Sequence, residues 1–143
     1  MSQENVEIVR RSFERAASEG LDALAEHYWD ANIEYREDPR WPGASTYRGR
    51  EAVVQCFRNY FEVLGAEDVT SIGVERVVDA SDRGVVAFIR FTGQAPASGL
   101  PHEHLWGYVV NVEGERIVYF RAYYAPAEAL EAVGLSESDK PVS

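Results

Sequence analysis

Beyond about residue 69 the apolar residues stop recurring at helical spacing and begin to alternate. Four such stretches follow one another, Val69 to Asp79, Val85 to Gly93, His102 to Val112 and Arg116 to Ala125, and a period of two is the mark of a strand. The links are short and made of turn formers: Asp79 to Gly84, Ala95 to Pro101, and the tight Glu113-Gly114-Glu115. Strands joined this closely run antiparallel. A sheet with one apolar face must bury it against another layer, and the first half of the chain supplies that layer.

Ser2 can cap a helix that runs to about Glu19, with Val6, Val9, Phe13 and Ala17 on one face and Gly20 as its stop. Leu21, Leu24, Ala25 and Tyr28 fall at i, i+3, i+4 and i+7 and predict a short second helix. An alternating strand, Ile33 to Asp38, runs into Pro39, which donates no backbone hydrogen bond and ends it. A loop with Trp41, Pro42 and Gly43 leads to a third helix from about Arg50, burying Val53, Phe57, Tyr60, Phe61 and Leu64. Residues 127 to 133 fit a last short helix before Gly134. Helices first and strands second predicts an α+β fold in one domain spanning residues 1–135, with a polar tail at 136–143.

A formal net charge of −10 at pH 7, with no basic run, argues against nucleic acid and against an anionic membrane surface as partners. No stretch approaches the roughly 20 apolar residues of a membrane helix. The one cysteine, Cys56, excludes an internal disulfide. Together these predict a cytoplasmic protein.

Asp38-Pro39, the glycine-containing loop, Tyr47-Arg48-Gly49-Arg50-Glu51-Ala52-Val53 and then Phe57 resemble the signature of the SnoaL-like polyketide cyclases. These belong to the nuclear transport factor 2-like superfamily, with the ketosteroid isomerases and limonene epoxide hydrolases. The resemblance spans Asn5 to Leu135. It implies a cone-shaped α+β barrel, a curved antiparallel sheet wrapped around the N-terminal helices, and a pocket opening beside Trp41. It is informative about fold and poor about reaction, because one fold hosts many functions.

Glu37 and Asp38 are the acid/base candidates, at the point where a strand opens into an aromatic loop. The resemblance places Asp38 at the general base of the isomerases. Alternation instead puts Glu37 on the face of Ile33 and Tyr35, and Asp38 with Glu34 and Arg36, so both stay open. Arg90, inside Val86-Ala87-Phe88-Ile89-Arg90-Phe91-Thr92, needs a partner on so apolar a strand, and Glu37, Asp38 or a substrate anion are candidates. It matches the arginine of the epoxide hydrolases, yet their two acids fall at Thr92 and Ala122. The isomerases' oxyanion-hole donors fall at Phe13 and about Gly107. The residue pattern therefore fits neither reaction. His102 and His104 alternate on one strand, but no third metal ligand is marked by spacing, and neither a metal nor a cofactor is expected.

A two-residue turn after Val112 would pair even positions of the third long strand with odd positions of the fourth. One face would then carry His104, Trp106, Tyr108, Tyr119, Arg121 and Tyr123, and the other Leu105, Gly107, Val109, Val118, Phe120, Ala122 and Tyr124. The second face is the more apolar and is assigned to the interior. The first is assigned to a homodimer contact, or to a half-solvated aromatic ladder. A ligand cavity lined by Tyr35, Trp41, Phe57, Phe61, Phe88, Leu105, Phe120 and Tyr124 follows. Three functions remain open: an enzyme acting on a hydrophobic small molecule by proton transfer, with Glu37 or Asp38 as base and Arg90 as anion stabiliser; a non-catalytic binder of an apolar or aromatic ligand; and a dimeric interaction module without ligand.

Overall fold

The computed structural model describes residues 2–41, 43–64, 72–94 and 101–136. The expected strand start at Val69, the 95–100 segment, Pro42, the 137–143 tail and the side chains of Leu64 and His102 lie outside the described residues. Helices α1 (Ser2–Glu19), α2 (Leu21–Tyr28) and α3 (Arg50–Leu64) are interleaved with strands β1 (Trp29–Arg36) and β2 (Thr46–Arg48). Strands β3 (Ile72–Asp79), β4 (Val85–Gln94), β5 (Pro101–Glu113) and β6 (Arg116–Tyr123) follow, then α4 (Pro126–Ala132). The described helices are not long and apolar enough to cross a membrane.

The apolar spacing of each helix becomes its buried stripe. Helix α1 buries Val6, Val9, Phe13 and Ala16, and α3 buries Val53, Cys56, Phe57 and Phe61. Gly20 turns the chain between α1 and α2 at φ 104, a backbone angle open to glycine. The end of α2 is pinned by arginines: Arg50 donates to the Trp29 carbonyl at 2.8 and 3.0 Å, and Arg116 donates to the Glu26 and Trp29 carbonyls.

The strands form a single open sheet in the order β2-β1-β6-β5-β4-β3. It is curved and mixed. Strand β1 runs parallel to β6, while every other pairing is antiparallel, which corrects the all-antiparallel expectation. The parallel pair arises because β1, near the start of the chain, lies beside β6, near its end, and the two are separated in sequence by β2, α3 and three further strands instead of being joined by a hairpin. The three-residue β2 is too short for its alternation to be read.

The inner face meets α1, α2 and α3 in one large apolar cluster. The outer face carries a smaller one, in which Val78, Val86, Phe88 and Val109 pack against Ala129, Leu130 and Val133 of α4. Gly107 is where α4 comes closest: a Cβ there would lie 2.8 Å from the Pro126 Cα.

The two-residue turn exists, at Gly114-Glu115, both at positive φ. Glu113 pairs with Arg116 and Val112 with Ile117, as a two-residue loop demands, but Asn111 then pairs with Tyr119. Val118 is an extra residue, a bulge, and beyond it even residues of β5 face even residues of β6. Tyr108 lies opposite Ala122, and Val110 opposite Phe120. The interface drawn from the sequence is therefore split. Trp106 and Tyr108 are buried on the inner face with Phe120 and Ala122, whereas Tyr119, Arg121 and Tyr123 remain outside. Leu105 and Phe88, expected in the cavity, belong to the outer cluster under α4.

Candidate functional site

A cavity of about 20 Å³ lies between the inner sheet face and α3, lined by Tyr35, Glu37, Asp38, Trp41, Cys56, Phe57, Tyr60, Trp106, Tyr108 and Ala122. That volume admits about one water. Its closing wall is Trp41, a half-buried loop side chain set steeply against Tyr60 (rings 5.2 Å apart, 65°) and Trp106 (6.0 Å, 70°). Tyr60 and Trp106 are themselves 77° apart, so the three rings form a corner. Trp106 Nε1 donates to the Tyr60 hydroxyl at 2.7 Å. Deeper in, Tyr35 stacks on Phe57 and Phe120, and its phenol hydrogen-bonds Tyr108. Burial raises the pKa of both phenols well above the ordinary value.

The two acids have opposite fates. Asp38 is 3% exposed and its carboxylate accepts four hydrogen bonds. Arg40 supplies its backbone N at 2.8 Å, Nε at 3.0 Å and Nη2 at 2.7 Å, and the Tyr124 backbone N donates at 2.7 Å. The Arg40 hydrogen bonds outweigh desolvation and hold the Asp38 pKa at about 2. Arg40 also reaches Glu128 on α4 and lies over the Tyr124 ring. Asp38 is thus a latch joining the loop to the end of β6, and its proton affinity is too low for a base near neutrality.

Glu37 has no such partner. Its Oε1 accepts from the Ser45 backbone N at 3.1 Å and its Oε2 faces the Cys56 thiol at 3.2 Å. Among the described residues, the salt bridges include none to Glu37. Its charge is felt next door. Burial first and then Glu37 push the Cys56 thiol far up, and the Tyr47 phenol is raised to about 12 by burial, Cys56 and Glu37.

Arg90 is not in the site. It sits on the outer face, paired with Glu75 at 2.9 Å and Glu103 at 3.1 Å. Arg90 has the partners that its place in an apolar run demands, but they are outer-face acids and neither Glu37 nor Asp38; both faces of β4 are covered by apolar layers, and the run does not reveal which way an even residue points. Phe61 is buried one layer behind the cavity against Phe57, Tyr60 and Phe91. Phe120 lines a second, deeper void of about 10 Å³ with Phe13, Leu24, Phe91 and Val110. Tyr124 is a rim residue, 44% exposed, edge-on to Trp106. His104 Nε2 lies 3.0 Å from the Tyr124 carbonyl oxygen. Cys56, Tyr60, Trp106, Tyr108 and Ala122 line the cavity although the sequence does not mark them for it. For the strand pair, the signal was Gly107, a residue with no side chain on the supposed inner face.

No family model matches the chain. In sequence it is similar to the uncharacterised protein YesE of Bacillus subtilis strain 168, at 29% identity over 108 residues, covering 74% of this chain and 71% of that protein. In structure it is similar to a nuclear transport factor 2-like protein from Burkholderia thailandensis, with TM-score 0.69 and 20% identity over 87% of this chain and 95% of that one. The chain has the nuclear transport factor 2-like fold. A second structure of this fold type comes from Catenulispora acidiphila, a ketosteroid isomerase-like fold in complex with trimethylamine. Its TM-score is 0.64 with 18% identity, over 94% of this chain and 98% of that one. The cavity lies between the sheet and α3 of this fold, and the loop carrying Trp41 closes it.

Proposed function

We propose that this nuclear transport factor 2-like protein binds a compact small molecule in the cavity under Trp41. The carrying observation is that the cavity joins a three-ring aromatic corner to the carboxylate of Glu37, and that the group filling it belongs to a loop. Trp41 can leave without unpacking a helix or strand, which is why a volume of one water is compatible with a larger guest. The Catenulispora acidiphila neighbour holds trimethylamine, a molecule of only a few heavy atoms, and a ligand of that size suits this cavity better than a polyketide.

Proton transfer is the second reading, and one observation favours it: Glu37 is a cavity carboxylate not neutralised by an arginine. Glu37 would be the base of a cofactor-independent isomerase- or cyclase-type reaction, the chemistry that the SnoaL-like resemblance implies. Asp38 and Arg90 drop out of that mechanism. A cytoplasmic setting belongs to the same proposal, as does a homodimer, now restricted to the outer-face patch of Arg36, Tyr119, Arg121 and Tyr123. Sedimentation at micromolar concentration tests the dimer, and a 16.0 kDa species would refute it.

The test of the pocket is a fragment screen by thermal shift and NMR on wild type and Trp41→Ala. A ligand of the native state raises the melting temperature. Hits should move the indole resonances of Trp41 and Trp106, and Trp41→Ala should change their affinity. A chemically broad set of small fragments that leaves both indole resonances unmoved in the wild type, and the Trp106 indole unmoved in Trp41→Ala, would sink the proposal.

A further inference from the structure

The pocket reading leaves the ligand's charge open, and the residues around the cavity speak to it. Resting on that reading, we infer that the cavity recognises a methylated ammonium group, held by the aromatic corner of Trp41, Tyr60 and Trp106 with Glu37 as its counter-ion. A cation over the faces of Trp or Tyr is attracted by the ring quadrupole, and cages of such rings are how quaternary ammonium groups are recognised. Here three rings meet at 65°, 70° and 77°, with Tyr35 and Tyr108 also lining the cavity.

The carboxylates of the chain make the contrast. Asp38, Glu34, Glu75, Glu103 and Glu128 each face an arginine. Glu37 faces a backbone N–H, a thiol and phenols. The groups beside it that titrate, Cys56 and Tyr47, are held in their neutral forms and supply no positive charge. A carboxylate in an aromatic pocket without a cationic neighbour favours a cationic guest, and the net charge of −10 draws cations toward the molecule as a whole.

The hydrogen-bonding inventory narrows the class. Trp106 Nε1 is spent on the Tyr60 hydroxyl, and the Tyr35 and Tyr108 phenols are spent on each other. The corner therefore offers ring faces and few free acceptors. The Glu37 carboxylate can accept from the N–H groups of a primary ammonium, but the three ring faces cannot, whereas a trimethylammonium has no N–H to satisfy and can turn its methyl groups to all three. Entry requires Trp41 to swing outward, since the closed cavity holds about one water.

The experiment is an NMR and calorimetric titration, at constant ionic strength, with tetramethylammonium, choline, ethanolammonium and dimethylbutanol, the last being the uncharged carbon isostere of choline. Choline is expected to bind at least tenfold tighter than dimethylbutanol and than ethanolammonium, moving the Trp41 and Trp106 indole signals. Glu37→Gln should shrink the preference for choline over dimethylbutanol severalfold. Equal binding of choline and dimethylbutanol by the wild type overturns the inference and leaves the pocket intact, and it needs no variant to fold. Equal binding of choline and ethanolammonium overturns the methylated class. Binding of any of them to the wild type without movement of the two indoles, or no binding of any of them to the wild type, also overturns it. The pocket itself falls only if the fragment screen is equally silent.

Discussion

Asp38→Asn separates a latch from a base. The substitution keeps the shape and removes the charge, but every group facing this carboxylate is a donor: the Arg40 backbone N, Nε and Nη2, and the Tyr124 backbone N. The new amide must turn its own N–H2 toward donors on one side. The pKa falls from 3.8 to about 2, and each unit is worth about 1.4 kcal/mol, so the charged interaction contributes on the order of 2 kcal/mol. Facing a donor with a donor adds roughly another 1 kcal/mol. The total corresponds to a melting temperature lower by roughly 6–10 °C for a chain of this size. Because the folded pKa lies below the unfolded one, the stabilisation is fully present above about pH 4 and disappears as pH falls through about 2. Urea titrations of wild type and Asp38→Asn at pH 7, 5, 3 and 2 should show a gap in midpoint that holds at the first two and narrows sharply toward the last. An unchanged midpoint at pH 7, or a gap that persists undiminished to pH 2, would refute the latch.

Gly107→Ala places a Cβ 2.8 Å from the Pro126 Cα and 2.9 Å from the Ala129 Cβ, so α4 must shift, at about 1–3 kcal/mol; a melting temperature equal to wild type would show that α4 is not seated there. Arg90→Gln removes a pair on the outer face and should change neither the melting temperature nor the affinity of any cavity ligand; a loss of binding in the fragment assay would return Arg90 to the site. Cys56, buried with its thiol pKa pushed up first by burial and then by Glu37, should resist iodoacetamide at pH 8 until the chain is unfolded. Fast modification of the native protein, followed by mass, would contradict that environment.

Local chemistry determined much of this protein before any packing. Apolar recurrence every three or four residues marks α1, α2 and α3, alternation marks the four long strands, and Gly20 and Gly114 mark turns, although only the structure puts Glu115 beside Gly114 at positive φ. The stretch from Ile33 to Phe61 stands out as a candidate site for the same reason: an acid pair, a proline that ends a strand and a loop tryptophan fall within one short segment. Phase was not legible. Alternation says which residues of a strand share a face, but carrying that phase across a hairpin assumes unbroken pairing, and one extra residue at Val118 reverses it. A valine in a run of strand residues leaves no trace of a bulge, so Trp106 and Tyr108 became cavity walls and Leu105 and Phe88 became the seat of α4. Where both sides of a strand are covered, as in β4, the two faces are almost equally apolar, so the pattern does not say which is inside and Arg90 cannot be given a direction from it. The parallel pairing of β1 with β6 and the capture of Asp38 by Arg40 and Tyr124 join residues far apart in the chain. Such contacts depend on where the whole sheet curves, and only the tertiary structure decides that.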